Sequence, residues 1–295
     1  MKSDRRTVLG LLGGSCAAVA CQGPREASRG LCAAEPPAGD KPPARPALRL
    51  GLPTYMFKNY TLDQVIQTAL RLDVRYLSLK SFHLPLEWSD DKVAAAVAKT
   101  RDAGLTVYTA GVVQMYTQAE IDRGFAYAKA ASLDLIAANP SEAMLDAVEK
   151  KVDQTGIRVA IHNHGPDQKS WPTPLEIYDK LRTRDKRIGI CHDTGHTRRS
   201  GVDPVQATLK TAERIFDFHL KDVDAATKAG HSVELGRGIV DIVGLVRAIR
   251  KIGYRGVVGV EVEKRMDDLM PGLAESIGYV RGVDDCGMRN ADCGL

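Results

Sequence analysis

The sequence predicts an α/β fold, a single (β/α)₈ TIM barrel. From Leu48 onward, short apolar runs alternate with longer amphipathic stretches, and eight such units fit into about 240 residues, the usual size of this barrel. Several of the runs end in histidine or a carboxylate, as strands do at the rim that carries the active site. No Gly-x-Gly-x-x-Gly opens a helix after the first run, which argues against a dinucleotide-binding sheet.

The elements follow in order along the chain. The predicted strands cover residues 48–53, 76–80, 106–112, 133–137, 158–162, 188–193, 215–219 and 257–261. After the first strand, Thr61 is a suitable helix N-cap, and the apolar residues behind it share one helical face: Leu62, Val65, Ile66 and Leu70. Similar helical patterns begin near Ser89 and Val240. Glycines before the next strand indicate helix ends at Gly104, Gly156 and Gly253.

The first 46 residues predict an export signal and a linker. Arg5-Arg6 precedes an apolar stretch, residues 9–20, that is too short to span a bilayer, which is typical of a twin-arginine signal over residues 1–21. Cys21 closes a sequence that resembles a lipoprotein cleavage site, so a lipid anchor at Cys21 stays open. Residues 22–46 are rich in proline and alanine and predict a disordered linker. We expect a periplasmic protein or a membrane-anchored lipoprotein.

The remaining residues divide into the barrel, 47–283, and a tail, 284–295. A hydrophobic fraction of 44% and a charged fraction of 26% are ordinary for a globular protein. The formal net charge is +4, and no dense Lys/Arg run in the body predicts nucleic-acid binding. Cys286 and Cys293 could pair in an oxidising compartment, whereas Cys191 lies within a strand and reads as a buried thiol. Whether the chain forms a homo-oligomer is left open.

Four predicted strands end in residues that bind metals. Because strand side chains alternate between faces, the inward groups at the same level are His162, Asp193, His219 and Glu261. A mixed nitrogen and oxygen donor set suits Mn²⁺, Co²⁺, Zn²⁺ or Fe²⁺ and leaves positions for substrate oxygens. The sequence therefore predicts a divalent metal centre at the mouth of the barrel.

The chain resembles the xylose isomerase-like TIM barrels, which include sugar epimerases, inosose dehydratases and AP endonucleases. The resemblance covers Leu48 to Arg281, and its most specific parts are Cys191-His-Asp193-Thr-Gly-His196, Phe218-His219-Leu-Lys221-Asp222 and Gly259-Val-Glu261. It implies Asp193, His219 and Glu261 as ligands and His196 as a substrate contact. His162 stands where the epimerases have a glutamate. Since a metal-bound imidazole is a poor proton acceptor, epimerisation by a pair of carboxylates is in doubt.

Other polar residues near the strand ends are candidates for catalysis or for binding substrate. The candidate catalytic groups, by strand parity and chemistry, are Glu261, His164, Lys80 and Lys221. The candidate substrate contacts are His196, Arg199, His83, Glu263 and Arg237. His192 is out of phase with Asp193, so we expect it to face the outer helices.

The leading hypothesis is a metal-dependent isomerase or epimerase that acts on a sugar or keto-sugar through an enediolate. The same intermediate allows β-elimination, so a lyase or dehydratase cleaving 3-keto-glycosides is the first alternative. The lyase alternative is slightly favoured by the histidine at position 162, which removes one carboxylate of the epimerase pair, and by the predicted export. A non-catalytic sugar-binding protein is the second alternative. An AP endonuclease is disfavoured by His162 and by Ala229-Gly-His231, where that class has Asp-x-His.

Overall fold

The computed structural model describes residues 46–264 and 268–292, with side chains up to residue 286. The expected signal, linker, Cys21 lipid anchor and Cys286–Cys293 pairing fall wholly or partly outside these residues. Among the described residues, no helix combines the length and apolar character that a membrane crossing requires.

Nine strands form one sheet in which every pairing is parallel. They are β1 (Arg49–Pro53), β2 (Tyr76–Leu79), β3 (Thr106–Ala110), β4 (Val113–Met115), β5 (Leu135–Pro140), β6 (Arg158–His162), β7 (Ile188–Asp193), β8 (Ile215–Leu220) and β11 (Val257–Val260). The order β3-β2-β1-β11-β8-β7-β6-β5-β4 begins and ends with strands that are consecutive in the chain. The sheet thus returns on itself as a nearly closed barrel, which confirms the predicted fold class.

The third predicted strand, residues 106–112, is divided in the structure. β3 ends at Ala110 and β4 begins at Val113, so one segment pairs with β2 and the next with β5. Gly111 lies between them with φ 117°, and a Cβ there would lie 2.1 Å from the Ala137 carbonyl oxygen. Only glycine fits this bend, which the apolar pattern alone did not reveal.

Helices separate the strands of the barrel as expected, except between β3 and β4. They are α1 (Leu62–Arg71), α2 (Asp90–Asp102), α3 (Gln118–Ala130), α4 (Leu145–Thr155), α5 (Pro174–Leu181), α6 (Thr194–Arg199), α7 (Pro204–Lys210), α8 (Ile242–Lys251) and α9 (Met270–Asp292). Thr61 and Gln64 form a capping box at α1, as the sequence predicts for the N-cap. A small antiparallel pair, β9 (Asp222–Val223) and β10 (Ser232–Val233), follows β8. The last helix, α9, extends past residue 283 to Asp292.

Two apolar clusters support the site. The larger one joins the sheet to the surrounding helices, and the smaller one comprises Leu135, Ala160 and Cys191 with Phe216 packed against it. Ala160 and Cys191 are two residues before His162 and Asp193 on their strands, so they lie on the same face one level deeper. The polar residues at these strand ends therefore lie directly above this small apolar cluster.

Candidate active site

A cavity of about 350 Å³ opens at the carboxyl ends of the strands. Its size is at the lower end of the roughly 300–1,000 Å³ usual for small-molecule sites. It is lined by Tyr55, Lys80, Ser81, Phe82, Gly111, Val112, His162, His164, Gln168, His196, His219, Lys221, Glu261 and Glu263. Most of the residues that the sequence singled out thus surround one cavity.

The four predicted metal ligands converge beneath this cavity. One ligand atom each from Asp193, His219 and Glu261 lie within 4.8 Å of one another. His219 Nδ1 is 3.3 Å from Glu261 Oε2 and 3.0 Å from His162 Nε2. His162 Nε2 is in turn 3.7 Å from Asp193 Oδ2. All four side chains are buried, and these distances bring them together on one face of their strands.

The positively charged ammonium of Lys221 lies in the same group of side chains. Its Nζ lies 2.9 Å from Asp193 Oδ2, 3.1 Å from Glu261 Oε2 and 3.0 Å from Glu263 Oε2, and its side chain is only 3% exposed. Gly195 makes room for the lysine stem, because a Cβ there would lie 2.7 Å from Lys221 Cγ. The glycine of the Thr-Gly-His sequence therefore allows the ammonium to reach the carboxylates.

The three carboxylates around Lys221 differ in acidity. Burial alone would raise the pKa of Glu261, but the Lys221 ammonium and His219 outweigh it and hold that pKa well below its usual range. In Asp193, burial is outweighed by His196 and Lys221, so its pKa is also lowered. Glu263 goes the other way, because burial dominates and raises its pKa. Glu263 is therefore the most basic carboxylate of the group.

The same contacts decide the state of Lys221. Burial would lower its pKa, but Asp193, Glu261 and Glu263 outweigh burial and raise the pKa well above its usual value. The group is held as an ammonium, which does not support the predicted role of Lys221 as a base. It can donate hydrogen bonds to a ligand, and it partly offsets the charge of the carboxylates around it.

Three histidines of the site, His162, His164 and His196, are neutral near pH 7. Burial, followed by the charges of neighbouring imidazoles, lowers the pKa of His162 well below its ordinary value. Burial likewise lowers the pKa of His164 to about 4 and that of His196 to about 4. Neutral imidazoles can accept a proton or ligate a cation without first losing a proton.

The short helix after β7 fixes the position of Asp193. Asp193 Oδ1 accepts the backbone N–H of His196 at 2.8 Å, and Asn163 Oδ1 accepts the N–H of Asp193 at 2.9 Å. His192 points the other way, as expected, since its ring nitrogens contact Thr197 Oγ1 at 3.0 Å and Thr208 Oγ1 at 3.2 Å. The aspartate is thus oriented by backbone and amide groups before any ligand binds.

Three predicted substrate contacts lie outside the cavity lining: His83, Arg237 and Arg199. His83 is buried, and its ring nitrogens lie 3.0 Å from Thr54 Oγ1, 3.1 Å from the Phe57 carbonyl oxygen and 3.0 Å from that of Tyr60. Arg237 is bound to Glu275 at 2.5 and 2.7 Å. These engagements do not support direct substrate contact by His83 or Arg237.

Arg199 contacts a residue of the cavity lining without lining the cavity itself. Its guanidinium lies 2.6 Å from Asp167 Oδ2 and 3.3 Å from Nδ1 of His196, which does line the cavity. Its predicted role as a substrate contact is therefore better described as positioning His196. His164, Glu263 and Lys80, in contrast, line the cavity directly.

Lys80 differs from Lys221 in having no partner. Its Nζ is buried and, among the described residues, makes no hydrogen bond. A buried ammonium without a partner is costly, and this one lines the cavity. Lys80 is thus free to receive an anionic or strongly polar oxygen of a ligand.

Sequence reasoning missed the aromatic rim. Tyr55 and Phe82 line the cavity, are 46% and 47% exposed, and have ring centroids 5.8 Å apart. Each occurs within a few residues of the end of a strand, β1 or β2, and that position was the available signal. Exposed aromatic rings beside a polar cavity are suited to contact the apolar face of a ligand.

The donor set fits a divalent cation. Asp193, His219 and Glu261 offer one nitrogen and two carboxylate oxygens, and His162 adds an imidazole beside them. The imidazole nitrogens nearest these carboxylates are His162 Nε2, 3.7 Å from Asp193 Oδ2, and His219 Nδ1, 3.3 Å from Glu261 Oε2. Imidazole nitrogens and carboxylate oxygens in this arrangement suit a divalent ion. A cation would have to share Asp193 and Glu261 with the Lys221 ammonium, or displace it.

A family model described as xylose isomerase-like TIM barrel matches residues 133–282, half of the chain. The chain belongs to this family. The match covers β6, β7, β8 and β11, the strands that carry the proposed ligands.

Individual relatives are more distant. The chain is 27% identical over 151 residues to the rhizopine catabolism protein MocC of Rhizobium meliloti, covering 46% of each chain. It is 29% identical over 128 residues to inosose dehydratase of Geobacillus thermodenitrificans, covering 38% of this chain and 42% of the relative. The matches thus span less than half of the length of these relatives. A zinc-bound crystal structure of the IolI protein superimposes with a TM-score of 0.66 at 15% identity, over 82% of this chain and 98% of that one, which supports the fold.

Proposed function

We propose that the protein is a divalent-metal-dependent lyase of the dehydratase type. It would remove a proton next to the ketone of a keto-sugar or keto-polyol and expel the oxygen substituent one carbon further on. The observation that carries this proposal is the asymmetry of the site. All three carboxylates lie on one ammonium, Lys221, whereas a neutral imidazole, His162, occupies the strand end where the epimerases have a carboxylate.

This asymmetry favours elimination over epimerisation. Epimerisation needs two groups that exchange protons on opposite faces of one carbon, whereas elimination needs one base and one acid. Glu263 supplies the base, and the unpartnered Lys80 ammonium supplies the acid. The match to an inosose dehydratase supports the same reaction class, since that relative is named for a dehydration. Isomerisation and the proposed elimination have only their first step in common, the removal of the proton next to the ketone.

Asp193, His219 and Glu261 would hold the cation, with His162 beside them. When bound, a divalent cation polarises a carbonyl and stabilises the negative charge that develops on its oxygen. The zinc in the IolI structure supports a divalent ion in this fold.

The side chains of this chain would carry the proton transfers. Glu263 lines the cavity and has a raised pKa, so it is a better proton acceptor than Glu261, whose pKa is held low. Lys221 contacts Glu263 at 3.0 Å and can stabilise the carboxylate before it takes the proton. Lys80 would donate to the departing oxygen, and His164 and His196 would hydrogen-bond the hydroxyl groups of the ring.

The rim of the cavity is suited to a ring-shaped substrate. Tyr55 and Phe82 present aromatic surface next to the polar floor. The C–H face of a sugar or cyclitol can pack on such rings while its hydroxyl groups reach the histidines below. This arrangement supports a carbohydrate-like substrate.

The experiment is incubation of the metal-loaded protein with inosose, and separately with a 3-keto-glucoside, in D₂O, followed by NMR. Deuterium uptake next to the ketone together with an unsaturated product supports the proposal. Deuterium uptake with an isomeric ketose and no elimination product would indicate the isomerase. Binding without either change would indicate a sugar-binding protein.

Two variants separate the proton transfers. Glu263→Gln should abolish deuterium uptake, whereas Lys80→Met should retain uptake and lose at least tenfold in product formation, because only the acid step is impaired. Glu275→Gln is a matched control, since Glu275 pairs with Arg237 outside the cavity lining. If Glu263→Gln exchanges as fast as the wild type, Glu263 is not the base.

A further inference from the structure

A second group of metal-binding donors overlaps the first and extends one level deeper, to Cys191. One ligand atom each from His162, Cys191 and His219 lie within 4.8 Å of one another. All three side chains are buried, with exposures of 4%, 0% and 1%. This group shares His219 with the Asp193 group but replaces both carboxylates with an imidazole and a thiol.

The strands build this group in register. His162 on β6 pairs with Cys191 on β7 in neighbouring positions of the sheet, and Cys191 pairs with Asp217 on β8. The side chains of Cys191 and Asp193 point to the same face, so the thiol lies directly beneath the aspartate. The inward direction of the sulfur is therefore fixed by the backbone.

Two further observations indicate a ligand rather than a packed thiol. His162 Nδ1 and His219 Nε2 are both buried and lack a hydrogen-bond partner within the described residues. The Cys191 thiol donates to Asp217 Oδ2 at 3.5 Å, and the same oxygen lies 3.8 Å from His219 Nε2, so a carboxylate is in place to take up the thiol proton when a cation binds. Buried imidazole nitrogens are otherwise almost always bonded.

We propose that Cys191, His162 and His219 form a sulfur-containing site for a borderline-soft divalent cation, Zn²⁺ or Co²⁺ in preference to Mn²⁺. Thiolate and imidazole are the donors that zinc and cobalt favour, whereas Mn²⁺ favours oxygen. The site gives a reason for the histidine at 162, since an imidazole completes a nitrogen and sulfur set that a carboxylate would not. The inference depends on these three residues and not on the proposed elimination.

The cavity provides access to this site. His162 and His219 both line it, so an ion that enters the mouth of the barrel meets them before Cys191. Because His219 belongs to both groups, the two donor sets compete for one imidazole. A thiophilic ion should therefore lie deeper, towards Cys191, than an ion that prefers oxygen.

Cobalt spectroscopy tests the proposal without any substrate. The full-length protein, stripped of metal and reduced, is titrated with Co²⁺ while the near-ultraviolet thiolate-to-cobalt charge-transfer band is recorded. One equivalent should give the band in the wild type, in Cys286→Ser and in Asp193→Asn, and Cys191→Ser should lose it. His162→Gln should weaken Co²⁺ binding at least tenfold. A band that survives in Cys191→Ser, or no band in the wild type, would overturn the proposal.

A second measurement covers the case in which the buried cysteine variants do not fold. X-ray absorption of the zinc-loaded Cys286→Ser protein should show one sulfur at about 2.3 Å beside nitrogen ligands. A shell of nitrogen and oxygen alone would refute the site. Activity on keto-sugars enters neither measurement, so the failure of the proposed lyase function would leave this result unchanged.

Discussion

Replacing Lys221 with methionine tests how the site is held together without metal. The ammonium contacts Asp193, Glu261 and Glu263 within 3.1 Å, and its side chain is 3% exposed. Methionine keeps most of the length of the side chain but leaves the buried carboxylates without a counter-charge. Breaking a buried pair by removing one partner costs about 3–5 kcal/mol. In a domain of this size, that loss lowers Tm by roughly 6–20 °C in the presence of a chelator.

A divalent cation should reverse much of this loss. A metal that binds only the folded state at 100 times its Kd adds about 2.7 kcal/mol to the free energy of unfolding. In Lys221→Met, the cation meets Asp193 and Glu261 without a competing ammonium, so its Kd should fall. At a fixed Mn²⁺ or Zn²⁺ concentration, the gain in Tm should therefore be larger in the variant than in the wild type.

The assay is thermal unfolding followed by circular dichroism, with EDTA and with added metal. Lys264→Met is the matched control, because Lys264 pairs with Glu234 but its side chain is 43% exposed, and exposed pairs contribute little. Equal melting of Lys221→Met and wild type in EDTA would show that the ammonium does not stabilise the carboxylates. An equal metal-induced gain in both proteins would show that Lys221 does not compete with the cation.

Three other predictions follow from the structure and the sequence. Burial lowers the pKa of His192 to about 4 in the folded protein, whereas the unfolded histidine titrates near 6.5. As the pH falls through this range, the unfolded chain binds the proton first, so the free energy of unfolding should decrease between pH 6.5 and about 4. Urea unfolding should show this decrease, and it should be less steep in His192→Gln. Arg199→Gln should raise KM for a keto-sugar several-fold with little change in kcat, measured by steady-state kinetics, because His196 loses its support at Nδ1. We also propose export through the twin-arginine route; changing Arg5 and Arg6 to lysine should leave the full-length precursor in the cytoplasm on cell fractionation.

The sequence predicted the barrel and the convergence of the four ligands because both depend on short-range rules. The period of two within a strand decides which face a side chain takes, and parallel strands end at one rim. Each of the four ligands lies within two residues of the end of an apolar run, so these rules were enough to bring them together: His162, Asp193, His219 and Glu261. The same rules placed His192 on the outer face.

These rules do not predict which partners the ends of long side chains contact. Parity placed Lys221 inside, but whether its ammonium would be free or paired depends on the open space at Gly195 and on three carboxylates from two other strands. His83 is likewise near a strand end, yet backbone carbonyls of the segment after β1 hold its ring. Such contacts join residues that are far apart in sequence and follow from packing rather than pattern.

The balance of charge connects the two unusual residues of the site. Three carboxylates, Asp193, Glu261 and Glu263, lie on one ammonium, Lys221, so this cluster has two net negative charges beside the neutral imidazole of His162. A glutamate at position 162 would add a third negative charge. With His162 instead, a divalent cation would balance the charge of the cluster. The Lys80 ammonium, which has no hydrogen-bond partner among the described residues, would then be left to donate its proton to the departing oxygen.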